Sequence, residues 1–100
     1  MKLLILPEAL VELESAMRYY RAIAPDLGGN LRSEFEARVR WAMENPSMLR
    51  LRDGGYRRVN LARFPYYIPY IVREDTMWIL AFAHALRAPE YWMGRGDANT

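Results

Sequence analysis

The side chains in this sequence that could do chemistry are one histidine, several arginines and a tyrosine, all in its second half. His84 is the one histidine of the chain, and an imidazole can both accept and donate a proton near neutral pH. Arg58, Arg63 and Arg87 could hold the charge of a phosphate group, and Tyr91 could donate a hydrogen bond or stack on a base. Metal-independent RNA cleavage needs groups of this kind: a base for the 2′-hydroxyl proton, an acid for the leaving oxygen and cations for the developing charge.

The same residue types also have ordinary structural interpretations. His84 lies near the end of the apolar run MWILAFAHA, so it could be a structural histidine, hydrogen-bonded at the end of a central strand. Tyr19, Tyr20 and Tyr67 fit core packing with their hydroxyl groups reaching the surface. The residues alone leave both interpretations open.

The positive charge is concentrated in the second half of the chain. Residues 1–45 hold six basic and seven acidic side chains, whereas residues 46–100 hold eight basic and five acidic ones. The segment 50–73 contains six arginines and a single acidic residue, Asp53. Such a cationic stripe favours a polyanion or an acidic protein as partner, and a solvated basic face is the alternative. The candidate binding residues are Arg50, Arg52, Arg57, Arg73 and Trp41.

The composition excludes several classes of site. The chain has no cysteine, which removes disulfides, thiolate metal ligands and cysteine nucleophiles. One histidine without cysteines gives no ligand set with metal-binding spacing, and no glycine-rich phosphate loop follows a strand. We therefore expect neither a metal nor a cofactor.

The apolar run LLIL near the N-terminus is four residues long and is cut by Pro7 and Glu8. It is too short for a signal peptide or a membrane span. We expect a cytoplasmic protein that does not enter the membrane.

The periodicity of the first half predicts a strand followed by two helices. KLLIL reads as a buried strand, and the stripe formed by Leu10, Leu13, Met17 and Tyr20 predicts a helix over about 7–24. A second stripe predicts another helix that ends at ENPS, because Pro46 cannot continue it. Gly28 and Gly29 leave the start of this helix open. The short joint predicts an antiparallel helical hairpin. The second stripe consists of Leu31, Phe35, Val39 and Ala42.

After Pro46 the pattern changes to alternation and predicts three strands, YRRVNL, YYIPYIV and MWILAFAHA, the last two joined by the turn REDT. Pro69 falls inside the second strand, so we expect a bulge there or a register in which its nitrogen faces away from the neighbour. The whole predicts an α+β fold: an N-terminal strand, an antiparallel two-helix hairpin and a three-stranded antiparallel meander in two layers. Residues 1–93 form one domain in this prediction, and residues 94–100 form a flexible polar tail.

Several segments together resemble toxins of the RelE/ParE superfamily, found in bacterial and plasmid type II toxin–antitoxin pairs. These are PEALVELESAMRYY, the helix end ENP, the run YRRVNLARFPYYIPYIV and the closing ILAFAHALRAPEYW. The combination of RFPY with the spacing H-x-x-R-x-P-x-Y-W is fairly specific. The resemblance implies an antiparallel sheet backed by a helical hairpin. It also implies a small antitoxin that wraps the toxin. The basic stripe and Trp41 would then bind an acidic amphipathic segment of the antitoxin.

The superfamily covers two activities. RelE-like members cut messenger RNA in the ribosomal A site, whereas ParE-like members inhibit DNA gyrase without catalytic residues. The working hypothesis is ribosome-dependent mRNA cleavage. The alternatives are gyrase inhibition and a degenerate toxin that only binds its antitoxin. The hypothesis assigns catalytic roles to His84, Arg58, Arg63, Arg87 and Tyr91.

Overall fold

The computed structural model describes residues 1–98, and in this range the chain forms a mixed sheet, two long helices and two short C-terminal helices. The predicted α+β architecture is confirmed. The elements in chain order are β1 (Lys2–Ile5), α1 (Pro7–Ile23), α2 (Pro25–Glu44), β2 (Arg57–Asn60), β3 (Tyr66–Arg73), β4 (Thr76–Ile79), β5 (Ala83–His84), α3 (Glu90–Met93) and α4 (Arg95–Ala98).

The strands follow the order β1-β4-β3-β2, and β5 pairs with β3 beyond the end of β4. β2, β3 and β4 form the predicted antiparallel meander. β1 lies parallel to β4, with Lys2 opposite Thr76 and Ile5 opposite Ile79. The N-terminal strand is therefore an edge strand next to β4, and β2 forms the opposite edge.

The two long helices are separated by one extended residue, Ala24, with φ −154° and ψ 138°. Each helix has a proline in its first turn, where a missing N–H costs nothing. α2 starts at Pro25 and so includes Gly28 and Gly29. A Cβ added to Gly28 would lie 2.9 Å from the carbonyl oxygen of Met17, so this glycine lets the hairpin close tightly.

A bulge lies opposite Pro69, as the missing N–H predicts. Tyr70 pairs with Ile79 and Tyr67 pairs with Ala83, so residues 68 and 69 of β3 face the three residues 80–82. The Leu80 N–H donates to the Pro69 carbonyl at 3.0 Å. Since the nitrogen and carbonyl of a strand residue face the same side, the proline nitrogen also faces the bulge. The predicted single strand MWILAFAHA is thus divided into β4 and β5.

Hydrophobic side chains cover both faces of the sheet. The face towards α1 and α2 carries Ile68 and Tyr70, and the opposite face carries Tyr67 and Ile71 packed against the fully buried Trp92. Trp92 Nε1 donates to the Tyr67 hydroxyl at 3.0 Å. The C-terminal segment therefore adds partial cover to the face that the two-layer prediction left open.

Two residues of the segment predicted to be a flexible tail, Arg95 and Gly96, contact the rest of the chain. Arg95 is only partly exposed and forms an ion pair with Glu12 of α1 at 3.0 Å, while Arg73 Nη1 donates to the Gly96 carbonyl at 3.3 Å. These contacts hold residues 95 and 96 against the sheet and α1. Residues 99 and 100 of the predicted tail lie outside the described residues.

Candidate functional site

A cleft of about 400 Å³ opens between α1, the β5 end of the sheet and the segment that leads into α3. Three of the five predicted catalytic residues share it: His84, Arg87 and Tyr91. We call it the histidine cleft. Its other lining residues are Val11, Glu12, Ser15, Ala16, Tyr19, Tyr66 and Phe82.

His84 is held by the turn that follows it. Its Nδ1 accepts the Leu86 backbone N–H at 3.1 Å, so in the neutral imidazole the proton is on Nε2. The Tyr66 ring packs edge-on against the imidazole, with centroids 5.1 Å apart, because Tyr66 is the β3 partner of His84. Nε2 is thus the nitrogen of His84 that can donate to a ligand.

Arg87 and Tyr91 form a stacked pair. The guanidinium carbon of Arg87 lies 3.6 Å from the centre of the Tyr91 ring, and that of Arg95 lies 5.3 Å from it. Burial and then the Glu12 carboxylate raise the pKa of Tyr91 to about 12, although the two nearby arginines act in the opposite direction. Tyr91 therefore stays a neutral phenol near neutral pH, so it can donate a hydrogen bond but cannot act as a general base.

Glu12 lines the cleft but is committed to the bulge. Its carboxylate accepts the Phe82 backbone N–H at 3.0 Å and two Arg95 N–H bonds, each of 3.0 Å. Arg95 in turn donates to the Leu80 carbonyl at 3.0 Å. The ion pair thus satisfies backbone groups that the interrupted ladder leaves open, and Glu12 is a poor candidate for a general base.

The other two predicted catalytic residues lie outside the lining of the histidine cleft. The Arg58 guanidinium is 4.4 Å from the centre of the Tyr67 ring. Arg63 lies in the loop between β2 and β3, where its Nε is 3.8 Å from Glu34. The buried Glu34 also accepts the backbone N–H groups of Ala62 and Arg63, so it fixes this loop.

The predicted binding residues separate into a groove and two structural contacts. Arg50, Arg52 and Trp41 line a groove of about 350 Å³ at the open edge of β2, which we call the arginine groove. Arg57 donates to the Leu49 carbonyl at 2.8 Å, and Arg73 contacts the C-terminal segment. The remaining lining residues are Arg38, Leu49, Arg58, Val59 and Asn60.

Sequence reasoning missed Glu12, Glu34 and Arg38. Arg38 precedes Trp41 by three positions and so shares its helix face, a spacing that the sequence does carry. Glu12 and Glu34 act through contacts with distant segments, for which no local pattern exists.

Among the side chains that the structure describes, those of residues 1–96, no group of three or more His, Asp or Glu comes together as a set of metal ligands. In the same range, no helix combines the length and the apolar character that crossing a bilayer requires.

No protein-family model matches this chain, and no curated protein matches it. Among solved structures, it matches a chain of the structure described as the chromosomal ParDE TA system from P. aeruginosa, with a TM-score of 0.74 and 20% sequence identity. The match covers 84% of this chain and 95% of that chain. At this level of identity the likeness shows the fold, and it agrees with the α+β fold predicted from the sequence.

Proposed function

We propose that this chain is the toxin of a type II toxin–antitoxin pair and that a cognate antitoxin holds it inactive. The fold likeness to a chain from a ParDE TA system supports this class. The motifs RFPY and H-x-x-R-x-P-x-Y-W, which resemble the same superfamily, support it independently. The proposed binding partner of the chain is therefore its antitoxin. The proposed compartment of both proteins is the cytoplasm.

For the mode of action, we propose that the chain inhibits DNA gyrase by binding, as ParE-like toxins do. The observation that carries this choice is the separation of the cationic groups. Arg58 packs on Tyr67, Arg63 is beside Glu34, and neither lines the histidine cleft. A metal-independent nuclease needs its acid, base and cations within hydrogen-bonding reach of one phosphate.

Ribosome-dependent mRNA cleavage is the second candidate because His84, Arg87 and Tyr91 share one cleft. In that reaction His84 would act as the acid or the base, and Arg87 would hold the phosphate. Tyr91 would donate a hydrogen bond to an oxygen of the phosphate. Only one arginine of the predicted catalytic set would then stabilise the developing charge, which makes this the weaker candidate.

Two assays on the same variants separate these activities. The first is supercoiling by purified gyrase in the presence of the purified chain, and the second is mapping of RNA 5′ ends in cells after its induction without antitoxin. His84→Gln is the test variant, with Arg40→Gln on the exposed face of α2 as the matched control. Thermal unfolding of each variant verifies that it is folded.

The proposal expects the wild type and both variants to inhibit supercoiling equally, with unchanged RNA ends. New 5′ ends inside translated codons that disappear with folded His84→Gln would replace gyrase inhibition by RNA cleavage. Harmless expression together with normal supercoiling would identify a degenerate toxin that only binds its antitoxin.

A further inference from the structure

The arginine groove combines positive charge with an aromatic ring at a sheet edge. Arg38 and Trp41 come from α2, Arg50 and Arg52 from the loop after α2, and Arg58 from β2. The Arg58 guanidinium packs on Tyr67, on the face of the sheet away from α1 and α2, so the charge of the groove comes from the other three arginines. Among the side chains of residues 1–96, none of Arg38, Arg50 and Arg52 forms an ion pair, although Asp53 is adjacent to Arg52 in sequence. Like charges gathered without a carboxylate repel one another, so a bound anion would relieve this repulsion.

The loop that carries Arg50 and Arg52 is fixed by backbone contacts. The Arg52 N–H donates to the Tyr56 carbonyl at 2.8 Å, and the Gly55 N–H donates to the Arg52 carbonyl at 3.0 Å. The turn between Arg52 and Tyr56 contains Gly54 and Gly55, with φ of +100° and +80°. The cations are therefore presented from a preformed surface, which lowers the entropic cost of binding.

The open edge of β2 adds backbone donors to the groove. Pro69 turns its carbonyl away from β2, to Leu80, and Pro69 is the residue opposite Arg58. In an antiparallel ladder both members of such a pair face away from each other, so the Arg58 N–H is directed to the open edge.

The chemistry of the groove favours nucleic acid over other anions. The planar guanidinium fork binds phosphate through paired hydrogen bonds, and an aromatic ring within a cationic groove is a stacking platform for a base. Trp41 is half-buried, so its ring is held by the core on one side. The groove has few apolar side chains, Leu49 and Val59 apart from Trp41, which is a poor match for the apolar face of an amphipathic peptide.

We propose that the arginine groove binds single-stranded nucleic acid, with phosphates on Arg38, Arg50 and Arg52 and one base stacked on Trp41. This site is distinct from the histidine cleft. Binding of nucleic acid there would be a property in addition to the proposed inhibition of gyrase. It does not require His84 and involves no bond cleavage.

The test is fluorescence anisotropy of labelled oligouridine and oligothymidine, each roughly ten nucleotides long, titrated with the full chain over a series of salt concentrations. The Arg38→Gln, Arg52→Gln double variant should bind at least about tenfold more weakly. Its salt dependence should fall by about 1.4 in the slope of log K against log salt, because two phosphate contacts are lost. Trp41→Leu should weaken binding on the order of tenfold while leaving that slope unchanged.

The matched control removes the same charge from another basic surface. Arg18 and Arg21 are exposed and lie beside Glu14 and Arg32 on the two long helices, so Arg18→Gln with Arg21→Gln should alter affinity less than about twofold. Equal losses in both double variants would overturn the proposal in favour of diffuse attraction. Equally tight binding of polyglutamate, or no binding of either oligonucleotide at low salt, would also overturn it.

Discussion

Glu12 and Arg95, 83 positions apart in the sequence, join through two 3.0 Å hydrogen bonds directly beside the bulge at Pro69. Glu12 accepts the Phe82 N–H, and Arg95 donates to the Leu80 carbonyl. One ion pair thus links α1, the interrupted edge of the ladder and the C-terminal segment. Pro69 interrupts the hydrogen bonds between the strands, and the Glu12–Arg95 pair binds backbone groups that the interruption leaves unpaired.

Arg95→Met should destabilise the fold by about 1–3 kcal/mol, because it leaves a largely buried carboxylate with one backbone donor. The cost stays below that of a fully buried pair because the two side chains remain 17% and 20% exposed. Urea unfolding measures the difference. Arg40→Met, on the exposed face of α2, is the control and should change stability by less than about 0.5 kcal/mol. Equal midpoints for the two variants would contradict the role of the pair.

Gly28→Ala and Gly29→Ala should have opposite effects on stability. The new Cβ at position 29 meets nothing within 4 Å, so alanine should stabilise α2 by about 0.5–1 kcal/mol through backbone entropy. The Cβ at position 28 would lie 2.9 Å from the Met17 carbonyl oxygen and should cost about 1–3 kcal/mol. The unfolding temperatures of the two variants, compared with that of the wild type, test both expectations. A Gly28→Ala variant as stable as wild type would show that α1 and α2 do not approach this closely.

Tyr67→Phe and Tyr70→Phe remove the same atom from opposite faces of the sheet. The Tyr67 hydroxyl accepts the Trp92 Nε1–H, so its loss leaves a buried donor unpaired and should cost about 1–3 kcal/mol. The Tyr70 hydroxyl is buried with no partner among the described residues, so Tyr70→Phe should be neutral or stabilising. Chemical denaturation of the two variants distinguishes them. A larger loss at Tyr70 than at Tyr67 would contradict this assignment.

Tyr91 should make stability depend on alkaline pH. Its pKa is raised from 10.0 to about 12 in the folded chain, chiefly by burial. Between these two values the folded state holds a proton that the unfolded state releases, so stability should fall as pH rises through this range. Tyr91→Phe should show a shallower fall. The difference in phenolate absorbance between wild type and Tyr91→Phe should show a midpoint near pH 12, and a midpoint near 10 would contradict the buried environment.

The sequence predicted most of the helices and strands because their signals are local. Pro7 and Pro46 mark the ends of the helical region, and the change from a helical to an alternating period marks the start of the sheet. The bulge followed from the missing N–H of Pro69. The parallel pairing of β1 with β4 was not predicted, since a four-residue apolar run carries no information about its neighbour.

The candidate site was predicted only in part, and for a related reason. His84, Arg87 and Tyr91 are close in sequence, and a turn with a short helix brings them together. Arg58 and Arg63 lie only five residues apart in sequence but are held by different partners, Tyr67 and Glu34. The C-terminal segment GRGDANT has the composition of a flexible tail, and the partner that fixes Arg95 lies at the other end of the chain.

The parallel pairing of β1 with β4 also sets an order of assembly during synthesis. The ribosome makes β1 before its neighbour β4, which follows both long helices and two further strands. The helical hairpin and the meander can form from contacts between neighbouring segments, whereas β1 requires closure of a long loop. Leu3 and Leu4 stay without a strand neighbour until then. A nascent chain that stops before β4 therefore carries an apolar segment without a strand partner, which is prone to aggregation.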